Sequence, residues 1–152
     1  IHWNEIFPGG NATRKMRYKI SFIGHEPGLY SSLTLKENLD YFGGIAGKRF
    51  LQDRMSHLLK VFKLDHRLHD PVHTFSRGML QKSAIIRALC MDAYLYLLDE
   101  PYTGLDEKSI SLLNDIILDL KKKSSVLLVV HSKELIKKIA ERTIMLDSGS
   151  IV

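Results

Sequence analysis

The sequence predicts an α/β fold with a mostly parallel sheet and crossover helices, interrupted by an all-helical insert. Three observations carry this. Strand-like and helix-like segments alternate at both ends of the chain. Between residues 34 and 90 the periodic segments, over 34 to about 62 and over 77–90, are helical, with no strand pattern. Two apolar runs, over 94–98 and 125–130, each lead directly into residues able to do chemistry. With 152 residues, 45% of them hydrophobic and 26% charged, the composition is that of a globular chain and excludes a disordered one.

Residues 1–6 can form a short edge strand, and Pro8-Gly9-Gly10-Asn11 is turn chemistry that interrupts it. The segment 18–24 alternates and then runs apolar, as a half-buried strand does, and stops in the loop Gly24-His25-Glu26-Pro27-Gly28. Thr34 followed by Glu37 is a capping box. Leu35, Leu39 and Phe42 then fall on one helical face, and Gly43-Gly44 is expected to stop that helix. The spacing of Leu51, Met55, Leu58, Leu59 and Phe62 predicts a second helix, followed by a His- and Asp-rich connector over 63–74. A helix over 77–90 carries Leu80, Ala84, Ala88 and Leu89 on one side. It leads into the strand 94–98, a turn from Pro101 to Gly104, and a helix whose apolar face is Ile110, Leu113, Ile117 and Leu120. The run 125–130 is apolar enough to predict a strand buried on both faces. A helix over 133–141 and strands at 143–146 and 151–152, with Gly149 in the turn, close the chain.

A formal net charge of +5 and a pI near 9.3 suit nucleic acid, an acidic membrane surface or a polyanionic ligand such as a nucleotide, and by themselves select none. Lys121-Lys122-Lys123 reads as a solvated helix end. The single cysteine, Cys90, excludes an internal disulfide and a cysteine metal cluster, and its apolar neighbourhood predicts packing. No stretch approaches the roughly 18–20 consecutive apolar residues that would span a bilayer, and no secretory pattern opens the chain; if a membrane is involved, another chain supplies it.

In Tyr94-Leu95-Tyr96-Leu97-Leu98-Asp99-Glu100-Pro101, an apolar strand delivers two adjacent carboxylates to its carboxyl end, where ligands bind in open α/β sheets. Such a pair can divide its work, one acid holding Mg²⁺ through water while the next polarises the water that attacks a γ-phosphate. It can equally do no more than cap the following turn. Phe75-Ser76-Arg77-Gly78-Met79 opens an apolar-faced helix. A serine hydroxyl, a helix N-terminus and a glycine that admits close backbone approach make either an anion site or a plain N-cap. His131 follows the strand 125–130 and so emerges at the same edge, placed to hydrogen-bond a phosphate oxygen or the attacking water, unless it is a surface or packing residue.

The order and spacing of these elements resemble those of the ABC-type ATPases. Asp99-Glu100-Pro101 looks like the Walker B motif with its catalytic glutamate, and Gly104-Leu105-Asp106 like the D-loop. The run 75–79 stands in the place of the ABC signature, His131 in that of the switch histidine, and His25-Glu26 in that of the Q-loop. The resemblance implies a P-loop NTPase (RecA-like) core over 1–33 and 91–152, with a helical subdomain over about 34–90 inserted into it. It implies Glu100 and His131 as catalytic residues, and His25, Ser76, Gly78, Asp99 and Asp106 as nucleotide-binding. Asp99, through water, and His25 would hold the Mg²⁺ that accompanies ATP. Two such domains pack head to tail in the family, so Ser76 and Gly78 would serve a partner's ATP while Asp99, Glu100 and His131 serve this chain's own. Transmembrane permease subunits complete the implied assembly at the cytoplasmic face of the inner or plasma membrane, and no nucleic acid is expected.

The chain also departs from the family pattern. No GxxxxGK[ST] string occurs. Gly44-Ile45-Ala46-Gly47-Lys48-Arg49 lacks the initial glycine in register, lacks Ser or Thr after the lysine, and follows a helix. The Walker A loop is therefore expected upstream of Ile1. These residues alone are expected to be an inactive, incomplete domain whose sheet lacks a central strand, leaving strand edges and apolar faces uncovered. His25 replaces the Q-loop glutamine, and Arg77 and Met79 replace the first glycine and the glutamine of the signature. The strings at 24–28, 75–79 and 99–106 are most similar to the ATPase subunit of haem exporters of cytochrome c maturation, while drug, lipid and polysaccharide exporters share the Ser-Arg-Gly-Met form. A soluble ABC protein acting on ribosomes or DNA is the competing reading, but the paired domains or long insertions of that class are not seen here.

Overall fold

Parallel strands cannot be joined by tight turns, and here each crossover carries helices. Strand β1 (Ile20–Ile23) pairs with β2 (Leu95–Asp99), and β2 pairs with β3 (Ser125–Val129), giving a parallel sheet in the order β1-β2-β3. The computed structural model describes residues 19–47 and 50–152; the expected edge strand and turn within 1–11 lie outside them. The register places Phe22, Leu97 and Leu127 in one row and Ile23, Leu98 and Leu128 in the next. Alternation sends the two rows to opposite faces.

Among the described residues, one of those faces is covered. Ser21, Ile23, Tyr96 and Leu98 are buried, whereas Phe22, Leu127 and Val129 are 56%, 57% and 49% exposed. The expectation that 125–130 is buried on both faces is therefore corrected. An unbroken apolar run does not reveal how many faces are covered, and among the described residues helices cover one. The three described strands are contiguous, and their unpaired edges are the outer ones of β1 and β3 among the described residues.

The helical insert begins with α1 (Leu35–Ala46), whose start is the predicted capping box. The Glu37 backbone N–H donates to Thr34 Oγ1 at 3.2 Å, and the Thr34 N–H to Glu37 Oε2 at 2.8 Å. Contrary to expectation, the helix runs through Gly43-Gly44 and ends at Gly47, which has φ 60°. Gly43 serves packing instead: a Cβ there would lie 3.2 Å from the Phe50 ring. Asn38, fully buried, ties the helix to the chain before it. Its Oδ1 accepts from the Tyr30 N–H at 2.7 Å, and its Nδ2 donates to the Tyr30 and Thr34 carbonyls, each at 3.0 Å. Asn38→Ala strands these groups without partners and is expected to lower the stability of the full-length protein by about 2–3 kcal/mol in urea unfolding; a loss below about 0.5 kcal/mol would refute this account.

Helix α2 (Gln52–Val61) buries Leu58 and Leu59 with Phe62 beyond its end, and two 3₁₀ turns, Asp65–Arg67 and Val72–Thr74, form the connector. Helix α3 (Arg77–Leu89) is the central element. Ala84, Ile85, Ile86 and Leu89 are fully buried, and the Ala88 carbonyl accepts from Ser21 Oγ of β1 at 2.8 Å. Cys90, at its end, is a packing residue whose thiol is pushed up to about 12 by burial, which leaves it unreactive.

Helix α4 (Glu107–Leu120) buries Leu113, Ile117 and Leu120 as its period predicts. Lys121 is not a free solvated end: its Nζ donates to the Ile139 carbonyl at 2.6 Å and pairs with Glu141 at 2.9 Å. Helix α5 (Lys133–Ile139) stops two residues short of its expected end. Of the closing strands, β4 (Leu146–Asp147) is shorter than expected and β5 (Ser150–Ile151) begins one residue earlier than expected, and the two pair antiparallel. Ser148 and Gly149 both have positive φ, 49° and 82°, and a two-residue turn of that kind sets the pairing to start at Asp147 opposite Ser150.

Candidate functional site

Because the three strands are parallel, their carboxyl ends share one edge. β1 delivers the loop 24–28, β2 delivers Asp99 and the turn that follows it, and β3 delivers His131 two residues beyond Val129. A cleft at this edge is lined by Gly24, His25, Arg77, Gln81, Glu100 and Thr103, among others, so the expected Q-loop position and the expected catalytic acid face the same space.

Glu100 sits in a left-handed conformation, φ 46°, which costs a non-glycine residue about 1–2 kcal/mol. Several contacts hold it there. Its backbone N–H donates to the Val129 carbonyl at 3.0 Å, Thr103 Oγ1 donates to its Oε2 at 3.3 Å, and His131 Nε2 lies 2.7 Å from its Oε1. The carboxylate is about one-third exposed (35%), while the His131 side chain stands 84% exposed at the rim. A hydrogen-bonded acid held by its backbone, with an imidazole presented to solvent beside it, is chemically able to polarise a water. Asp99, the last residue of β2, is half-buried and paired in register with Val129.

Helix α3 starts beside this turn. Ser76 is its N-cap, its Oγ accepting from the Met79 N–H at 3.3 Å, so the plain capping role is filled. Gly78 has a second reason to be glycine that the sequence did not show. A Cβ there would lie 2.8 Å from the Gly104 carbonyl oxygen, so the close approach it permits is to this chain's own turn. Asp106 is likewise engaged within the chain. It N-caps α4, accepting from the Ser109 N–H at 2.9 Å, and pairs with Lys82 at 2.8 Å. The Lys82 ammonium, with the Ser109 hydrogen bonds, holds its carboxyl well below the usual carboxylate range. A lowered pKa contributes stability above the ordinary aspartate value of about 3.9 and loses it only as pH falls through the lowered one, so this tie persists at neutral and mildly acidic pH.

Gln81, Lys82 and Arg87 are the site-building residues that the sequence reading did not single out. Arg87 Nη2 donates to the Phe22 and Pro27 carbonyls at 3.3 and 3.5 Å, and its guanidinium lies 4.7 Å from the Phe42 ring centroid. It thereby pins the His25 loop to both α3 and α1. The structure thus brings His25, Asp99, Glu100 and His131 to one edge, sets Ser76 and Gly78 beside it, and ties the exposed Asp106 to Lys82 and the start of α4. For a metal, Asp99 and Glu100 supply hard oxygen donors at the strand end. That suits Mg²⁺, which one or two carboxylates hold together with phosphate oxygens, and no cluster of three or more His, Cys, Asp or Glu residues able to hold an ion stands among the described residues.

A family model described as "ABC transporter" matches residues 1–103. The ABC transporter ATP-binding protein NatA of Bacillus subtilis is 38% identical over 141 residues, covering 91% of this chain and 57% of that protein. The cytochrome c biogenesis ATP-binding export protein CcmA 2 of Cupriavidus metallidurans is 30% identical over 132 residues, covering 87% of this chain and 63% of that one. A solved structure of the ATP-binding subunit of an ABC transporter superposes with a TM-score of 0.82 at 30% identity, over 90% of this chain and 58% of the other. The chain therefore spans under two-thirds of the length of these relatives. The likeness bears out the α/β fold with its parallel sheet, as in a P-loop NTPase core.

Proposed function

Since the chain belongs to the ABC transporter family, we propose that Asp99, Glu100 and His131 form the hydrolytic half of an ATP site, and that the complete protein couples hydrolysis to export. The observation that supports this most directly is the 2.7 Å contact between Glu100 Oε1 and His131 Nε2 at the carboxyl edge of a parallel sheet. In this reading Glu100 accepts the proton of the water that attacks the γ-phosphorus, and ADP leaves. His131, exposed beside it, donates to a γ-phosphate oxygen and orients the acid. Asp99, with His25 across the cleft, would hold Mg²⁺, which when bound supplies charge neutralisation at the phosphates. Ser76 and Gly78 would face the ATP of a second nucleotide-binding domain in a head-to-tail dimer, with Asp106 in the D-loop between the two sites.

The two-part organisation, a catalytic core over 1–33 and 91–152 with a helical subdomain over about 34–90, belongs to the same proposal. So does peripheral attachment to permease subunits at the cytoplasmic face of the membrane; no helix among the described residues is long and apolar enough to cross it. Haem is the cargo we propose, supported by the strings at 24–28, 75–79 and 99–106 and the likeness to CcmA 2. The higher identity to NatA supports a different cargo as the second reading.

One variant addresses both levels. His131→Ala in the full-length protein is expected to cut kcat for ATP roughly a hundredfold with nucleotide affinity within about twofold of the parent, and an unchanged kcat would remove His131 from the reaction. The same allele in the host should stop haem attachment to c-type cytochromes, whereas normal cytochrome assembly alongside lost ATPase activity would favour a different cargo.

A further inference from the structure

One face of α3 meets the turn 101–106 at three successive points. Gly78, Gln81 and Lys82 stand at i, i+3 and i+4, the spacing that puts residues on a single helix face. Gly78 lies against the Gly104 carbonyl, so close that a Cβ would be 2.8 Å from its oxygen. Gln81 Nε2 donates to the Pro101 carbonyl at 3.0 Å, and Lys82 Nζ to Asp106 Oδ2 at 2.8 Å. Gln81 and Pro101 are both buried, so without the amide the Pro101 carbonyl would lose its partner away from water.

The turn needs fastening, because it leaves β2 through Glu100 at φ 46° and bends again through Gly104 at φ 76°. Gly104 takes its positive φ without strain, but a non-glycine residue held left-handed, as Glu100 is, persists only where the surroundings over-determine it. The Lys82–Asp106 pair contributes little to folding by itself, since the Asp106 side chain is 58% exposed and such pairs are screened by water. Its value is geometric: it fixes the far end of a turn whose near end carries the acid.

We propose that Gln81 and Lys82 are positioning residues that fasten the turn 101–106 to the start of α3. Glu100 and the helix start at Ser76 and Gly78 then move as one piece. This rests on the reading above, in which Glu100 acts on this chain's ATP and the helix start on a partner's. Neither Gln81 nor Lys82 touches the reacting atoms; they join the two sites through single side chains.

The test uses the full-length protein and compares Lys82→Met, Lys82→Arg and Glu100→Gln for kcat, KM for MgATP and thermal midpoint. Lys82→Met keeps the aliphatic stem and is expected to lower kcat about tenfold, with KM within about twofold and the midpoint nearly unchanged. Lys82→Arg, which can still pair with Asp106, is expected to return kcat to within about twofold of the parent. The proposal is overturned by parental kcat in Lys82→Met, by Lys82→Arg performing no better than Lys82→Met, or by a kcat loss that only follows a loss of folded protein. Should Lys82→Met fail to fold, Gln81→Met carries the same expectations, and parental kcat in it overturns the proposal equally. Glu100→Gln separates the two levels: if it abolishes turnover while Lys82→Met is silent, only the positioning role fails, and if it turns over normally, the ATPase reading fails first.

Discussion

Glu100→Gln in the full-length protein is expected to bind MgATP with near-parental affinity, accumulate as an ATP-bound dimer and hydrolyse roughly 10²–10⁴ times more slowly. The substitution is nearly isosteric, so it tests charge and basicity with little change in shape. Glutamine can keep both contacts only by dividing them: its amide oxygen accepts from Thr103 Oγ1, and its amide N–H donates to His131 Nε2 when that nitrogen carries no proton. It also leaves untouched the backbone bond to the Val129 carbonyl that helps hold φ at 46°. What it lacks is a carboxylate able to take the proton of the attacking water. Steady-state turnover and size-exclusion chromatography with MgATP check the two halves of this expectation, and turnover at the parental rate would sink Glu100 as the base.

How much of this was legible in the sequence depended on whether the deciding interaction was local. The capping box at Thr34 and Glu37 and the N-cap at Ser76 are contacts within four residues, and both stand as predicted. The shared edge of Asp99, Glu100 and His131 was also legible, because a parallel sheet sends every strand's carboxyl end the same way. Long-range contacts were not. Gly43-Gly44 looked like a helix stop because nothing nearby in sequence reveals that the Phe50 ring packs on Gly43. The coverage of β3 on one face alone is a property of its neighbours, invisible in its own apolar run. Gln81 and Lys82 carry no local signal of their role. Their partners lie 20 and 24 residues away, and only the spacing from Gly78 hinted that they share its face.

Gly78→Ala is the second change with a large expected effect, because two principles point in opposite directions and the geometry decides between them. In an exposed helix, replacing glycine by alanine stabilises by roughly 1 kcal/mol, since glycine forfeits more backbone freedom on folding. Here the new methyl would sit 2.8 Å from a backbone carbonyl oxygen, that of Gly104, which cannot rotate away as a side chain would. Gly104 itself is held at φ 76° within a turn tied to α3 at Pro101 and Asp106. Relief must therefore come from separating α3 from the turn that carries Glu100. The expected outcome is a net loss of about 1–3 kcal/mol in urea unfolding. A fall of roughly tenfold or more in kcat should accompany it, from displacement of the acid. If Gly78 served only to admit a phosphate, Gly78→Ala would weaken nucleotide-driven dimerisation with stability unchanged or improved. A rise in the unfolding midpoint would therefore show that the contact with Gly104 is not what requires glycine here.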